Sequence, residues 1–180
     1  MQVGSPEFAS GVAAFAALIA TISALISLLS AFIARKNWRD SNRPVVTAYI
    51  DEESEGGGTT VFNLHLGNSG TRPATAVRLC AHPTDVQRLL AEEAEVKRRN
   101  NIERIFAVES RVAVLHSGET LITSFGLASE NPDQKWLKYG EEINIKIKYN
   151  DLEGRSYVSH IPLKVRPREG FGGGVWRSAV

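Results

Sequence analysis

Residues 8–34 read FASGVAAFAALIATISALISLLSAFIA, an unbroken run from Phe8 to Ala34 with no charge, Pro, Asn or Gln. A helix over these 27 residues spans roughly 40 Å, enough for a hydrocarbon core of about 30 Å. A secretory signal peptide is the alternative, and three features count against it. No Lys or Arg precedes the block, its apolar length exceeds the usual ~7–15 residues, and charge follows it directly. The segment is therefore expected to be a single transmembrane helix. Residues 1–7 would form a short extracytoplasmic N-terminus, although GSPEF at 4–8 reads equally as a cloning linker.

The flanks give an orientation. Upstream lies only Glu7, whereas Arg35, Lys36, Arg39 and Arg43 follow the block. Basic residues stay on the cytoplasmic side, so the N-terminus is expected outside and the rest of the chain in the cytoplasm, at the cell membrane. These four residues and Trp38 form the expected membrane interface, in a linker over 35–43, with the indole at headgroup level and anionic lipid attracted by about 1 kcal/mol per charge.

Within the block, side-chain size is sorted. In heptads with Phe8, Phe15, Ile22 and Leu29 at a, positions d and e hold Leu18, Leu25, Phe32, Val12, Ile19, Ile26 and Ile33 beside Gly11. Positions b, c and f hold only Ala and Ser. In lipid, helices associate through close backbone approach and interhelical hydrogen bonds. The slender face (Ala13, Ala16, Ala17, Ala20, Ser23, Ala24, Ser27, Ser30 and Ala31) is therefore the expected helix–helix interface. Ser23, Ser27 and Ser30 offer hydroxyl donors worth about 0.6 kcal/mol each. With no charge in the span, an ion relay is not supported.

Beyond the membrane flank the pattern turns to strands. Val45–Ile50 is β-branched and aromatic, and ends at the acidic, Gly-rich stretch 51–58. Strands are expected at Val61–Leu66, Ala76–Cys80, Ile105–Val108, Arg111–Leu115, Thr120–Phe125, Glu142–Tyr149 and Arg155–Val165. One inserted helix is expected over 84–100. Thr84 and Gln87 fit a capping box, Val86, Leu89, Leu90 and Val96 face inward, and Glu93–Lys97 and Glu95–Arg99 are i,i+4 pairs. The helix is expected to end near Asn100–Asn101. The fold class is thus mainly β: a transmembrane helix, then an antiparallel sandwich over 44–166 with one inserted helix, then a Gly-rich flexible tail over 167–180.

Three turn motifs carry a resemblance. They are the run from Phe62 to Val77 with Asn68, Gly70, Ala74 and Val77, the turn Leu115-His116-Ser117-Gly118-Glu119, and the hairpin Asp151-Leu152-Glu153-Gly154. Together they resemble immunoglobulin-like modules of the CARDB type over roughly residues 44–165. The resemblance implies an Ig-like sandwich, and its motifs mark turns, not chemistry. It departs in the helix at 84–100 and in compartment, since such modules are usually extracytoplasmic.

Chemistry is sparse. A net charge of +1 argues against broad nucleic-acid binding, and a single cysteine, Cys80, rules out an intramolecular disulfide. Cys80 and His82 lack a second ligand pair, and His65, His116 and His160 stand apart. Asp51, Glu52, Glu53 and Glu55, or Asp151 with Glu153, could meet a hard cation, but solvated loops are the simpler reading. The chain has no G-x-S-x-G, P-loop, dinucleotide fingerprint or H-E-x-x-H. No catalytic residue, metal or cofactor is expected. Lys97, Arg98, Arg99 and Arg104 read as a solvated helix face with Glu partners.

The expected function is a non-enzymatic membrane protein that self-associates through its Ala/Ser face and displays the sandwich for partner recruitment, assembly or sensing. Its partners are then membrane lipid, further copies of itself and a protein on the sandwich, not nucleic acid. Two alternatives stay open. One is a membrane effector whose helices form a pore or disruptive bundle when the domain binds a signal. The other is an extracytoplasmic adhesion-like module.

Overall fold

The computed structural model describes residues 6–54, 59–92, 94–129, 131 and 135–165. The chain divides into two compact units, Met1–Asn42 and Arg43–Val180.

The first unit is one helix, α1, Pro6–Ser41, about 54 Å long at 1.5 Å per residue. It carries a window of mean hydropathy 2.5, and none of that window is buried within the fold. The basic segment expected as a linker is instead helical as far as Ser41, because nothing between Ala34 and Ser41 breaks a helix. Pro44 lies three residues beyond its end. Asn42 terminates it, with the backbone N–H (3.0 Å) and side-chain Nδ2 (2.8 Å) both donating to the Trp38 carbonyl.

Among its described residues the second unit has seven strands: β1 Val46–Ser54, β2 Thr59–Asn68, β3 Ala74–Cys80, β4 Val112–Leu115, β5 Thr120–Ser129, β6 Glu142–Asn150 and β7 Ser156–Lys164. Two helices, α2 Pro83–Leu89 and α3 Val96–Ile105, lie between β3 and β4. All pairings are antiparallel. One sheet runs β1-β2-β5 and the other β4-β3-β6-β7. Alternation decides what each strand buries. In β6, Ile143, Ile145, Ile147 and Tyr149 are buried while Asn144, Lys146 and Lys148 are exposed. In β2, Phe62, Leu64 and Leu66 turn inward. Both sheets feed one core, joined by Val86 and Leu89 of α2 and Ile102 of α3.

The structure departs from several expectations of the sequence. The inserted helix over 84–100 is two helices. Val86, Leu89, Leu90 and Ala91 are all buried, and residues as close as 89, 90 and 91 cannot share one face of a helix. The chain therefore unwinds at Leu90 into extended backbone and bridges Leu137. The Ala91 N–H donates to the Trp136 carbonyl (2.9 Å), and the Lys138 N–H to that of Leu89 (2.8 Å). Arg99 serves the unwound segment. Its guanidinium donates to the carbonyls of Ala91 (2.9 Å), Glu92 (2.6 Å) and Ala94 (2.9 Å), so it does not pair with Glu95, which meets Arg98 instead (3.2 Å). Val96 is exposed, and the helix continues past Asn101 to Ile105.

The capping box at Thr84 is absent. His82 occupies the N-cap without a side-chain cap bond, and Thr84 Oγ1 meets His82 Nδ1 (2.7 Å). The pair Glu93–Lys97 lies outside the described residues. Finally, Ile105–Val108 is not a strand. Ile105 closes α3 and the chain turns through 106–109, with Phe106 edge-on to Phe125 at 6.4 Å between ring centres. On the acidic side, β1 runs through Asp51 and Glu52 to Ser54, pairing Asp51 with Asn63, so the loop begins later than expected.

Candidate functional site

On α1 the bulky residues are exposed, among them Phe15 (65%), Leu25 (62%) and Phe32 (79%), as is the Ala/Ser face opposite them. The hydroxyls of Thr21 and Ser27 are internally satisfied. Thr21 Oγ1 donates to the Ala17 carbonyl (2.8 Å) and Ser27 Oγ to that of Ser23 (2.9 Å). Such back-bonding spends the Ser27 donor within its own helix, leaving its oxygen able only to accept from a neighbour. Arg35, Lys36, Trp38 and Arg39 sit on the last two turns, and Arg43 follows the helix in the second unit.

The motif residues of the second unit build turns. Asn68, 1% exposed, uses every side-chain position. Its Oδ1 accepts from the N–H groups of Val45 (3.1 Å) and Gly70 (3.0 Å), and its Nδ2 donates to the carbonyls of Arg72 (2.8 Å) and Leu115 (3.2 Å). Gly70 must be glycine because a Cβ there would stand 2.4 Å from the Arg43 oxygen and the Val45 nitrogen. Asp151 is buried after β6 and holds the β6–β7 hairpin. Oδ1 accepts from the N–H groups of Glu153 and Arg155 (both 2.9 Å), and Oδ2 from the Tyr157 hydroxyl (3.1 Å). Burial pushes the Asp151 carboxyl up, but the donors of Arg155, Tyr157 and Glu153 outweigh it and hold it below its ordinary value. Burial and the bond to Asp151 raise the Tyr157 phenol. Glu153 pairs with Arg72 at 2.8 Å, a bond that lowers the Glu153 carboxyl.

Both Asp151 oxygens and Oε1 of Glu153 thus serve the hairpin and its link to Arg72. Among the described residues, no three His, Cys, Asp or Glu side chains converge. Cys80 is a half-buried free thiol, and His65 stacks on Tyr49 at 4.7 Å. The Glu53 side chain and all of Glu55 lie outside the described residues. The basic run of α3 is not simply a solvated face. Arg99 holds the α2–α3 junction, and Arg98 lies 4.4 Å over the Trp136 ring, a cation–π contact. Arg104 turns elsewhere.

Its place is a groove of about 760 Å³ between the two sheets, opening between the edge strands β4 and β5. Leu64, Leu66, Val77 and Leu79 form the floor. Leu121 and Thr123 of β5 wall one side, Val112 and Ile105 the other. The charged side chains of the lining are Arg104 and Arg111, both exposed. Every residue of β5 from Thr120 to Ser124 is exposed, including apolar Leu121 (37%) and Ile122 (61%). Sequence reasoning missed this groove because its lining comes from five separate elements. One signal was present: adjacent apolar residues Leu121-Ile122 break the one-sided alternation of a half-buried strand.

A family model described as a domain of unknown function matches residues 8–169, so one model takes in the apolar block and the two-sheet unit together. No curated protein matches the chain.

Proposed function

The chain belongs to that family, DUF8453, and from its own residues we propose a non-enzymatic, single-pass membrane protein that self-associates through α1 and displays its β domain for recruitment. In this reading α1 crosses the bilayer once. The basic turn from Arg35 to Arg39 lies at the cytoplasmic headgroups, with the N-terminus outside. The two sheets form an Ig-like sandwich of CARDB type, whose turns at Asn68, Gly70 and Asp151 serve geometry and leave the edges for partners. Many copies on one membrane raise the effective concentration of whatever the domain binds.

One observation carries the reading: a helix long and apolar enough to cross a membrane, unburied by its own fold, has bulky residues on one side and only Ala and Ser on the other. Bulk of similar hydrophobicity all round would anchor equally well, so the sorting points to packing between helices. Inclusion of this block in the family model alongside the β domain supports treating it as part of the working protein rather than an appendage.

The test is oligomeric state, by cross-linking and sizing of the full chain in mild detergent. Ala16→Leu with Ser23→Leu puts two branched side chains on the slender face. The expected result is at least tenfold weaker association, with Leu18→Ala on the bulky side changing little. A double variant as oligomeric as the parent refutes the interface.

A further inference from the structure

We propose that the groove between β4 and β5 takes an extended peptide from a partner protein, added as a strand to the free edge of β5, whose groove-facing side chains are apolar over the floor and acidic where they meet Arg104 and Arg111. The inference rests on the recruitment half of the reading above and supplies the partner's chemistry.

Three observations converge. First, β5 ends its sheet, and among the described residues the backbone of Thr120–Ser124 bonds only to β2. The other half of β5 is already covered, since the Leu127 carbonyl accepts from the N–H groups of Trp136 and Leu137 (both 3.0 Å). The free stretch of five residues is about 17 Å long, the length of an ordinary added strand. Second, Leu121 shares the groove face with its partner Leu66, whereas Ile122 shares the opposite face with His65. An edge strand that is apolar on both faces invites pairing, and an added strand covers both sides at once. Third, neither Arg104 nor Arg111 has an ion pair among the described residues, so the groove presents uncompensated positive charge at its rim.

The same observations decide between occupants. A single-chain lipid would satisfy the apolar floor and the arginines. It would also bury the unpaired N–H and C=O groups of β5 without partners, which is costly. A second copy of this domain, meeting edge to edge, would set guanidiniums against guanidiniums, and its β5 segment TLITSFGLAS brings no acid to relieve them. A peptide that carries both apolar and acidic residues on its groove-facing side meets the backbone, the floor and the charge together.

The experiment uses the full chain in nanodiscs of neutral lipid. The probe is a fluorescein-labelled heptapeptide with glutamate, valine, valine and glutamate at its alternate, groove-facing positions and threonine between them, compared with one that has lysine in place of glutamate. The glutamate peptide should bind in preference and slow amide exchange at Leu121–Ser124. Arg104→Glu with Arg111→Glu should weaken it about tenfold and reverse the preference toward lysine. Both arginines are exposed, so an unchanged denaturation midpoint certifies the fold of the variant. Equal binding of the two peptides, indifference to the charge reversal, or no protection of β5 at saturating peptide overturns the proposal. So does protection by a long-chain fatty acid where the peptide gives none, which would make the groove a lipid site. Self-association read on the same discs reports on α1 separately, so the two readings fail independently.

Discussion

Asp151 is 5% exposed yet remains the acceptor for three donors, so its charge is part of the hairpin's architecture. Asp151→Asn keeps the shape but replaces a charge-assisted acceptor with a neutral one and points an amide at the Tyr157 hydroxyl. Bonds to a charged group contribute about 1.5–3 kcal/mol, and a loss in that range is expected at pH 7 by urea denaturation of the full chain in mild detergent. The pH dependence follows from the direction of the shift. The folded carboxyl titrates below its unfolded value of about 3.9. Its contribution is therefore complete above about pH 4 and drains away as pH falls through the folded value. Parent and variant should differ at pH 7, and the gap should narrow progressively as pH falls below about 4; a constant gap would show that the carboxylate's charge is immaterial. Asn68 works on the same logic with neutral groups, tying the start of β1, the 69–72 turn and the end of β4 through one amide.

At the scale of elements, what could be read in advance was what repeats locally. The alternation of Glu142–Tyr149 and of Val61–Leu66 announces β6 and β2, and the charge-free run at 8–34 announces α1. The α2–α3 break could not be read this way. The segment from Val86 to Arg99 has helical residues throughout, and it parts at Leu90 because residues 136–138 pair with it from across the sequence. Local preference lost to tertiary pairing. The groove was illegible for the same reason, since its floor and rim meet only once both sheets are assembled. Arg99 marks the cost of the break, as its three bonds serve carbonyls a continuous helix would have satisfied. Arg99→Ala should leave them under-satisfied and destabilise the domain by about 1–3 kcal/mol, with faster amide exchange concentrated at 89–94 in mass spectrometry. Uniform acceleration across the domain would instead mean that Arg99 acts globally.

For the molecule as a whole, chain order matters. Val46 opens the β domain and is fully buried, and so are Leu163 and Val165 at its far end. β1 lies in contact with β7 although they belong to different sheets. No shorter length of chain encloses the core. A chain stopped after Arg155, lacking β7, should lose cooperative urea unfolding and bind a hydrophobic dye, as judged by tryptophan fluorescence and dye emission; a retained sharp transition would show that β7 is dispensable.

A fold that shuts only with its final strand also imposes a timetable. During synthesis the greasy rod emerges before the β domain, while β7 is still to be made, and pairings between distant strands are slow to form. On the reading proposed here, insertion into lipid precedes domain closure, so the cell never has to park a finished globule with its anchor dangling in water.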